Sequence, residues 1–265
     1  MRRWGLLALG LAVCLSERCG QSVAGGASET GNTGVGYVRV ETFDAPPPEG
    51  VEHLNLRVTG LEMGDSTGWQ ALRASDTTID FLALVGGVTA LVADTSVPVG
   101  LYRELRVMVA DTNEIIVSGV SYPLLVPSGA QSGIKVKLDL TVAEAESVTV
   151  YLDFNLSSLV SLGDRYLLRP SFHAFPATAA ATVEGTVTDT AGAAVHKALV
   201  EAMGESDTLA TLTAGNGRYR LVAPPGVYSL RCSSAGYGST DTLYTGLVFS
   251  PGAVIDSLDF VLAVP

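Results

Sequence analysis

The sequence predicts an all-β protein, built from two antiparallel β-sandwich domains in series with at most a short helix in the first. From Val35 onward apolar and polar residues alternate with a period of two, as half-buried strands require. Glycine, proline and other turn residues interrupt this alternation at the short spacing that is typical of sandwiches. The 265 residues are enough to bury a core in one large domain or in two small ones.

Residues 35–175 form the first predicted domain. Its alternating segments read YVRVETF, VEHLNLRVTGLEM, LYRELRVMVA, EIIVSGVSYPLLV, IKVKLDLTV, SVTVYLDFNL and RYLLRPSFHAF. The apolar positions of the second segment slip by one, which predicts a β-bulge. Ser118-Gly119 predicts the turn of a hairpin. The exception is IDFLALVGGVTALVAD, whose composition favours a turn or two of helix, split by Gly86-Gly87.

Residues 176–180 form a predicted linker of small residues, and residues 181–265 form the second domain. Short strands separated by turns predict a small antiparallel sandwich here. The stretch AGNGRYRLVAPPGVYSLRCSSAGY is interpreted as a hairpin that turns at Pro224-Pro225-Gly226. Its two arms would place Tyr219 beside Tyr228 as cross-strand neighbours in the core.

The second domain carries a set of motifs that resembles the carboxypeptidase regulatory-like module, a prealbumin-like (transthyretin-like) β-sandwich. The matching residues are Gly185-x-Val187-x-Asp189, Gly192, Ala198-x-Val200, Gly217-x-Tyr219-x-Leu221, Pro225-Gly226-x-Tyr228-x-Leu230 and Gly236-Tyr237. GAAVHKA departs from the family, which usually has a proline before the apolar residue. The resemblance implies a sandwich without a catalytic group.

The first domain resembles a family of bacterial exported lipoproteins, catalogued as domain of unknown function four-three-eight-two. The resemblance rests on FDAPP, Gly68-Trp69, Pro98-x-Gly100-x-Tyr102, Leu105-Arg106, YPLLVPSGAQSGIKV, LDF at Leu152–Phe154 and RYLLRP at Arg165–Pro170. The family has no established activity, so the resemblance implies an envelope protein and no more specific function.

The N-terminus has the features of an export signal. Arg2 and Arg3 precede an apolar run, and small residues follow up to Ala24, so residues 1–24 are interpreted as a signal peptide and residues 25–34 as a flexible tether. Two processing routes remain open. The signal is either cleaved after Ala24, or Cys14 is the lipid attachment site of a lipoprotein signal. Both routes predict a protein of the cell envelope, the periplasm or the cell surface.

The formal net charge of −11 limits the partners that the protein can bind. Nucleic acids and anionic lipid headgroups require a basic surface. Nucleic acid is therefore excluded as a partner, and membrane contact is expected only through an N-terminal lipid. Glycans and envelope proteins remain as candidate partners.

Motifs for catalysis, cofactors or metals are missing from the sequence. None of His53, His173 and His196 has a glutamate three residues on, and no HExxH or Cys-x-x-Cys occurs. Ser128 and Ser132 lie among glycines but outside a Gly-x-Ser-x-Gly elbow. The carboxylates Asp76, Asp80, Asp139 and Asp153, and the turn residues Asp111, Asn113 and Glu114, fit a solvated sheet face and a polar turn. Cys232 is interpreted as a buried, inert thiol.

These observations predict a non-catalytic binding or structural role in the envelope. An alternative is carbohydrate binding by the second domain, with Tyr237 and Tyr244 in loop-like sequence as the residues that would stack on a sugar. A third possibility is an unrecognised hydrolase. The sequence contains no feature that identifies a ligand.

Overall fold

The computed structural model describes residues 34–43, 50–73, 76–127, 129–155, 158–205, 208–238 and 243–264. Residues 35–176 contain strands β1 to β13. In order these are Val35–Thr42, Val51–Gly64, Trp69–Arg73, Thr77–Asp80, Ala90–Pro98, Gly100–Val109, Asn113–Val117, Val120–Leu125, Ile134–Val142, Ser147–Asn155, Leu159–Ser161, Tyr166–Leu168 and Ser171–Pro176.

The rest of the chain contains strands β14 to β21, which are Ala181–Asp189, Leu199–Met203, Thr208–Leu212, Arg218–Ala223, Gly226–Ser233, Tyr244–Phe249, Val254–Ile255 and Phe260–Leu262. Within the described residues the helical content is limited to short 3₁₀ turns at Phe81–Ala83, Val85–Gly87 and Ala177–Ala179. None of the helices in this part of the chain is long and apolar enough to cross a membrane.

The first sandwich packs a four-stranded sheet, of order β13-β10-β1-β5, against a sheet of order β11-β12-β8-β7-β2-β6-β9 in which β3 and β4 also pair with β2. The apolar residues of each alternating segment point between the two sheets. In β9, for example, Val136, Leu138, Leu140 and Val142 are buried and the residues between them are exposed. The period of two therefore places the core as predicted.

The second sandwich packs a sheet of β17, β14, β20 and β21 against a sheet of order β16-β15-β18-β19. Most pairs in both sandwiches are antiparallel. The parallel pairs among the described strands are β1 with β10, β8 with β12, and β14 with both β20 and β21. The predicted all-β class with two sandwiches is confirmed.

Several local predictions are also confirmed. The register of β2 against β6 shifts between Val58 and Gly60, as its slipped pattern indicated. Ser118 and Gly119 connect β7 to β8 with φ of 49° and 75°, the positive values that a tight hairpin turn requires. The predicted short helix is present only in its first half, as the 3₁₀ turns that follow Asp80, whose carboxylate accepts the Leu82 N–H at 3.1 Å. After Gly86-Gly87 the chain enters β5 instead.

The predicted hairpin at Pro224-Pro225-Gly226 is wrong. Strand β17 pairs with β14 in one sheet, and β18 pairs with β15 and β19 in the other. Because β17 pairs with β14 and β18 pairs with β15 in the other sheet, the two strands do not pair with each other, and the chain crosses between the sheets at the two prolines. Tyr228 stacks on Phe249 of β19 at 4.5 Å between ring centroids. It is not the cross-strand neighbour of Tyr219.

The two sheets of the first sandwich meet along one side at strands β9 and β13. Each of these is the last strand of its sheet, and they pack side by side without a shared hydrogen-bond ladder. This line of contact exposes two sheet edges next to each other.

Candidate functional site

A buried aromatic contact joins the two sandwiches within the compact unit Asn32–Pro265. Phe43, Phe175 and Ala180 form a small core of their own, against which Tyr151 and Val222 pack. The Tyr151 ring centroid lies 4.9 Å from that of Phe43 and 6.1 Å from that of Phe175. Since Val222 belongs to β17 of the second sandwich, this cluster fastens one sandwich to the other.

Two glycines let the sandwiches approach closely. Gly86 and Gly87 have φ of 69° and 83°. A Cβ atom would lie 2.8 Å from the Ala214 Cβ at Gly86 and 2.6 Å from the Arg220 Cβ at Gly87. Beside this contact lies a cavity of about 10 Å³ next to Asp153, which is room for about one water. Around this cavity the described residues of the junction are closely packed.

An open hollow lies on the line between β9 and β13. It has a volume of about 430 Å³ and is lined by residues 135–137, residues 172–175 and Pro224. Lys135, Lys137 and His173 give this end a basic character. Pro224 comes from the crossing between the sheets of the second sandwich, so both sandwiches contribute to the hollow.

A second hollow follows further along the same two elements. Its volume is about 320 Å³, and it is lined by residues 139–141, 146–149 and 176–178. Asp139 and Glu146 give it carboxylates, and Thr141, Ser147, Thr149 and Thr178 give it hydroxyl groups. We call the two hollows together the seam groove. It is basic at one end and acidic at the other.

The charges of the seam groove come from alternate residues of one strand. Lys135, Lys137 and Asp139 occupy successive outward positions of β9 and are exposed. Lys135 lies 3.8 Å from a Glu104 carboxylate oxygen, and Asp139 accepts a 3.1 Å hydrogen bond from Arg103. Both pairs are exposed, so each contributes little to stability and exchanges readily with solvent or with a ligand.

Next to the basic end, Trp69 lies on the outer face of the same sheet. Its ring lies over Gly64, where a Cβ atom would come within 3.1 Å of it. The Arg106 guanidinium lies 4.2 Å from the ring centroid and the Lys135 ammonium 5.4 Å. Arg106 also forms an ion pair with Glu62. These cation–π contacts hold the indole and the two cations in place.

The predicted ligand-stacking residues are only partly exposed. Tyr244 is the first residue of β19 rather than a loop residue; its hydroxyl donates to the Asp259 carbonyl at 2.8 Å, and its ring meets Phe260 edge-on at 5.3 Å. Tyr237 lies in a bend and packs against the core of the second sandwich. Cys14, the predicted lipid attachment site, lies outside the described residues, as do the signal peptide and nearly all of the tether.

The predicted core residues of the second domain are buried. Cys232 is buried on β18, and burial raises its pKa to about 12, so the thiol stays protonated and unreactive at neutral pH. Tyr219 and Tyr228 are buried as well. The Tyr219 hydroxyl donates to the Leu258 carbonyl at 2.6 Å, and burial raises its pKa.

The described candidate catalytic residues form separate pairs, and Asp153 of β10 lies opposite His173 of β13 in the register of the two strands. Asp80 binds the His53 ring at 2.6 Å and accepts from the Leu54 N–H at 3.1 Å, while Asp76 pairs with Arg57. Asp139 and Asp153 line different hollows. In the described part of the chain, no group of three or more histidines, cysteines or carboxylates could hold a metal ion.

The turn ADTNEI has a structural role. The Asn113 amide donates to the Ala110 carbonyl at 2.7 Å, and its oxygen accepts the Arg57 N–H at 2.9 Å. Glu114 accepts from the Ser121 hydroxyl and from the Asn55 amide, and these hydrogen bonds lower its pKa. Ser132 is exposed, and Ser128 lies outside the described residues.

Sequence reasoning missed the seam groove. Its signal was the charge order of IKVKLDLTV, in which the outward positions read lysine, lysine, aspartate. The alternation can be seen in the sequence. The sequence does not show that β13 lies beside this strand, because the two strands share no ladder and lie far apart in the chain.

Comparisons with known proteins agree with the motifs. The family description "Domain of unknown function (DUF4382)" matches residues 35–170, and the carboxypeptidase regulatory-like domain matches residues 182–263. Both predicted resemblances are confirmed. No curated protein matches the chain.

Solved structures of bacterial proteins show low similarity. The Bacillus anthracis TIE protein is 12% identical with a TM-score of 0.28, over 86% of this chain and 34% of its own. The shaft pilin spaA from Lactobacillus rhamnosus GG is 10% identical with a TM-score of 0.24, over 88% and 98%. The Streptococcal ancillary pilin is 12% identical with a TM-score of 0.27, over 86% and 69%. The chain thus spans about a third of the Bacillus anthracis protein.

Proposed function

Since the chain belongs to the DUF4382 family and also carries a carboxypeptidase regulatory-like domain, we propose that it is an exported bacterial envelope protein that acts by binding rather than by catalysis. The export signal of residues 1–24 directs it out of the cytoplasm. The two sandwiches then present a binding surface outside the membrane.

The observation that carries this proposal is the pairing of a closely packed domain junction with an open, charged groove. The contact of Phe43, Tyr151 and Val222 fastens the sandwiches together. A fixed scaffold binds without the entropy cost of ordering itself first. The seam groove takes residues from both sandwiches, so this junction also sets its shape.

Cell fractionation tests the export part of the proposal. The full chain with a C-terminal tag is expressed in a bacterium, and the envelope and cytoplasmic fractions are probed for the tag. We expect the tag in the envelope fraction. A tag that remains in the cytoplasm at full length contradicts the proposal.

Labelling with a palmitate analogue separates the two processing routes. Lipidation at Cys14 predicts that Cys14→Ser loses the label while Cys19→Ser, the matched control, keeps it. Cleavage after Ala24 predicts no label in either protein and a mature N-terminus at Gly25. An N-terminus that still begins at Met1 would contradict both routes.

The second candidate is glycan binding by the second sandwich. Tyr237 and Tyr244 both keep part of their side chains exposed, and both lie near the ends of β21. Gly238 N–H donates to the Ala263 carbonyl, and the Tyr244 hydroxyl donates to the Asp259 carbonyl. A glycan array with the full chain tests this candidate. Binding that is lost in Tyr237→Ala and in Tyr244→Ala would support glycan binding. The absence of binding to any glycan on the array would contradict it.

A further inference from the structure

The outward side chains of β9 in the seam groove have the charge order positive, positive, negative. We propose that the groove binds an extended peptide segment of a partner protein, in which alternate residues are acidic, acidic and basic. This deepens the proposed binding role by naming the site and the class of partner, and it rests on that role. The ligand's two acidic residues face Lys135 and Lys137, and its basic residue faces Asp139.

The repeat distance matches an extended peptide. Outward residues of a strand recur about every 6.6 Å, and alternate side chains of an extended ligand have the same spacing. The charges of a ligand that lies along β9 therefore stay in register with those of the strand. A helical ligand would bring successive same-face residues only about 5.4 Å apart along its axis, and its charges would move out of register.

The groove has room for the side chains that point the other way. The two hollows of about 430 and 320 Å³ follow one another along residues 135–141 of β9 and 172–178. This length corresponds to about 23 Å of extended chain. Pro224 is half-buried and offers an apolar contact at the basic end, so a small apolar residue between the charged ones is expected in the ligand.

The charges of Lys137 and Asp139 are available to a ligand, whereas Lys135 is also held in place by its cation–π contact with Trp69. Lys137 has no carboxylate within ion-pair distance among the described residues. The exposed pairs of Lys135 with Glu104 and of Asp139 with Arg103 are individually weak. Replacing them with pairs to a ligand costs little.

A peptide fits this groove better than a polysaccharide or a nucleic acid does. The aromatic residues that line the basic end, Phe172 and Phe175, are 8% and 7% exposed, so they offer no face for a sugar to stack on. The net charge of −11 repels a long polyanion. A short segment of mixed charge meets neither obstacle.

Fluorescence anisotropy with the full chain tests the proposal. The probe is a labelled peptide, Gly-Ser-Glu-Val-Asp-Val-Lys-Ser-Gly. A second peptide has the same composition but places its three charged residues next to one another. We expect saturable binding of the alternating peptide only, and binding that weakens as NaCl rises because exposed charge pairs are screened.

Charge reversal locates the site. Lys137→Glu should weaken binding about tenfold, because one attraction becomes a repulsion. The matched control Lys197→Glu changes an exposed lysine of the second sandwich and should leave binding unchanged. A probe with lysine in place of its aspartate should bind Lys137→Glu better than it binds the parent chain. Lys137→Gln, with a smaller loss, guards against misfolding of the reversed variant.

Four results would overturn the proposal. The first three are no saturable binding, equal binding of the two peptides, and loss of binding that is the same in Lys137→Glu and Lys197→Glu. The fourth is binding of polygalacturonate with the same dependence on Lys137, which would make the groove a site for anionic polysaccharide. None of these results changes where the protein is found on fractionation, so export is judged separately.

Discussion

Cys232 has a side chain that is reactive as a thiolate, but it lies in a buried site that disfavours the thiolate. The thiol lies on the inner face of β18 and is 3% exposed. Burial disfavours the thiolate and raises the pKa to about 12. Because the nucleophile is the thiolate, this cysteine contributes packing and not reactivity.

The raised pKa makes stability depend on pH in the alkaline range. In the unfolded chain the thiol titrates near its usual value of about 8.5, so above this pH the unfolded state releases a proton that the folded state keeps. The contribution of Cys232 is fully present below about pH 8.5 and is lost as the pH rises toward about 12. The expected slope is about 1.4 kcal/mol per pH unit.

Urea unfolding at several values between about pH 8 and 10.5 measures this slope. Cys232→Val keeps an apolar side chain of similar size and has no thiol, so its free energy of unfolding should fall less steeply than that of the parent. The lysines, and the tyrosines other than Tyr219, whose raised pKa depends in part on Cys232, contribute equally to both proteins. Parallel curves would show that the Cys232 thiol does not couple to folding.

At the scale of elements, β14 depends on a glycine at its centre. The strand pairs with β20 at one end and with β21 at the other, and residues 256–259 arch over the gap between them. At Gly185 a Cβ atom would lie 2.3 Å from the Leu258 carbonyl oxygen. Asp259 completes the edge there by accepting from both the N–H and the hydroxyl of Thr186 at 2.7 Å.

Gly185→Ala should therefore destabilise the protein by about 3 kcal/mol, since the added methyl group meets backbone that cannot move without breaking this edge. Gly215→Ala is the matched control. Its added Cβ meets no atom within 4 Å, so the change should stay within about 0.5 kcal/mol. Chemical denaturation of both variants measures the difference. Similar losses in the two would mean that the arch over β14 yields to the methyl group.

Strands and connections differ in how far sequence predicts them. Alternation identifies β2 and β9, and Ser118-Gly119 identifies a hairpin, because each signal lies within a few residues. The crossing at Pro224-Pro225 looks like a turn locally, and the choice between a hairpin and a change of sheet depends on which strands compete for β14 and β15. The pairing of β1 with β10 depends on residues far apart in the chain. Such competition has no local signal.

The site follows the same division. Burial of Cys232 and Tyr219 was predictable from their positions on alternating strands. Tyr244 was expected in a loop, yet it begins β19 with its hydroxyl bound to Asp259. The seam groove exists only because the last strands of two sheets lie together. The sequence therefore did not predict a role for the charged residues of β9.

At the scale of the molecule, the contact between the sandwiches should make them unfold together. Tyr151 lies at the centre of the junction, between Phe43 and Phe175. Tyr151→Ala removes both ring contacts and should uncouple the sandwiches. We expect one calorimetric transition for the parent protein and two for this variant.

Tyr37→Ala provides the control. Tyr37 lies on the same outer face of the four-stranded sheet but is 48% exposed. Its removal should leave a single transition, with a ratio of calorimetric to van 't Hoff enthalpy near one. Two transitions in the parent protein would contradict the coupling that the junction implies.

The parallel pairing of β1 with β10 also sets the order in which the chain can fold. The Thr42 hydroxyl donates to the Leu152 carbonyl at 2.8 Å across 110 positions of sequence. A ribosome needs about 5–20 s to make a stretch of that length, and during this time β1 lacks one of its two neighbours. Pairing over such distances also folds slowly once the chain is complete. The first domain can therefore close only after β10 has been made, a delay that suits the proposed export of the chain in an unfolded state.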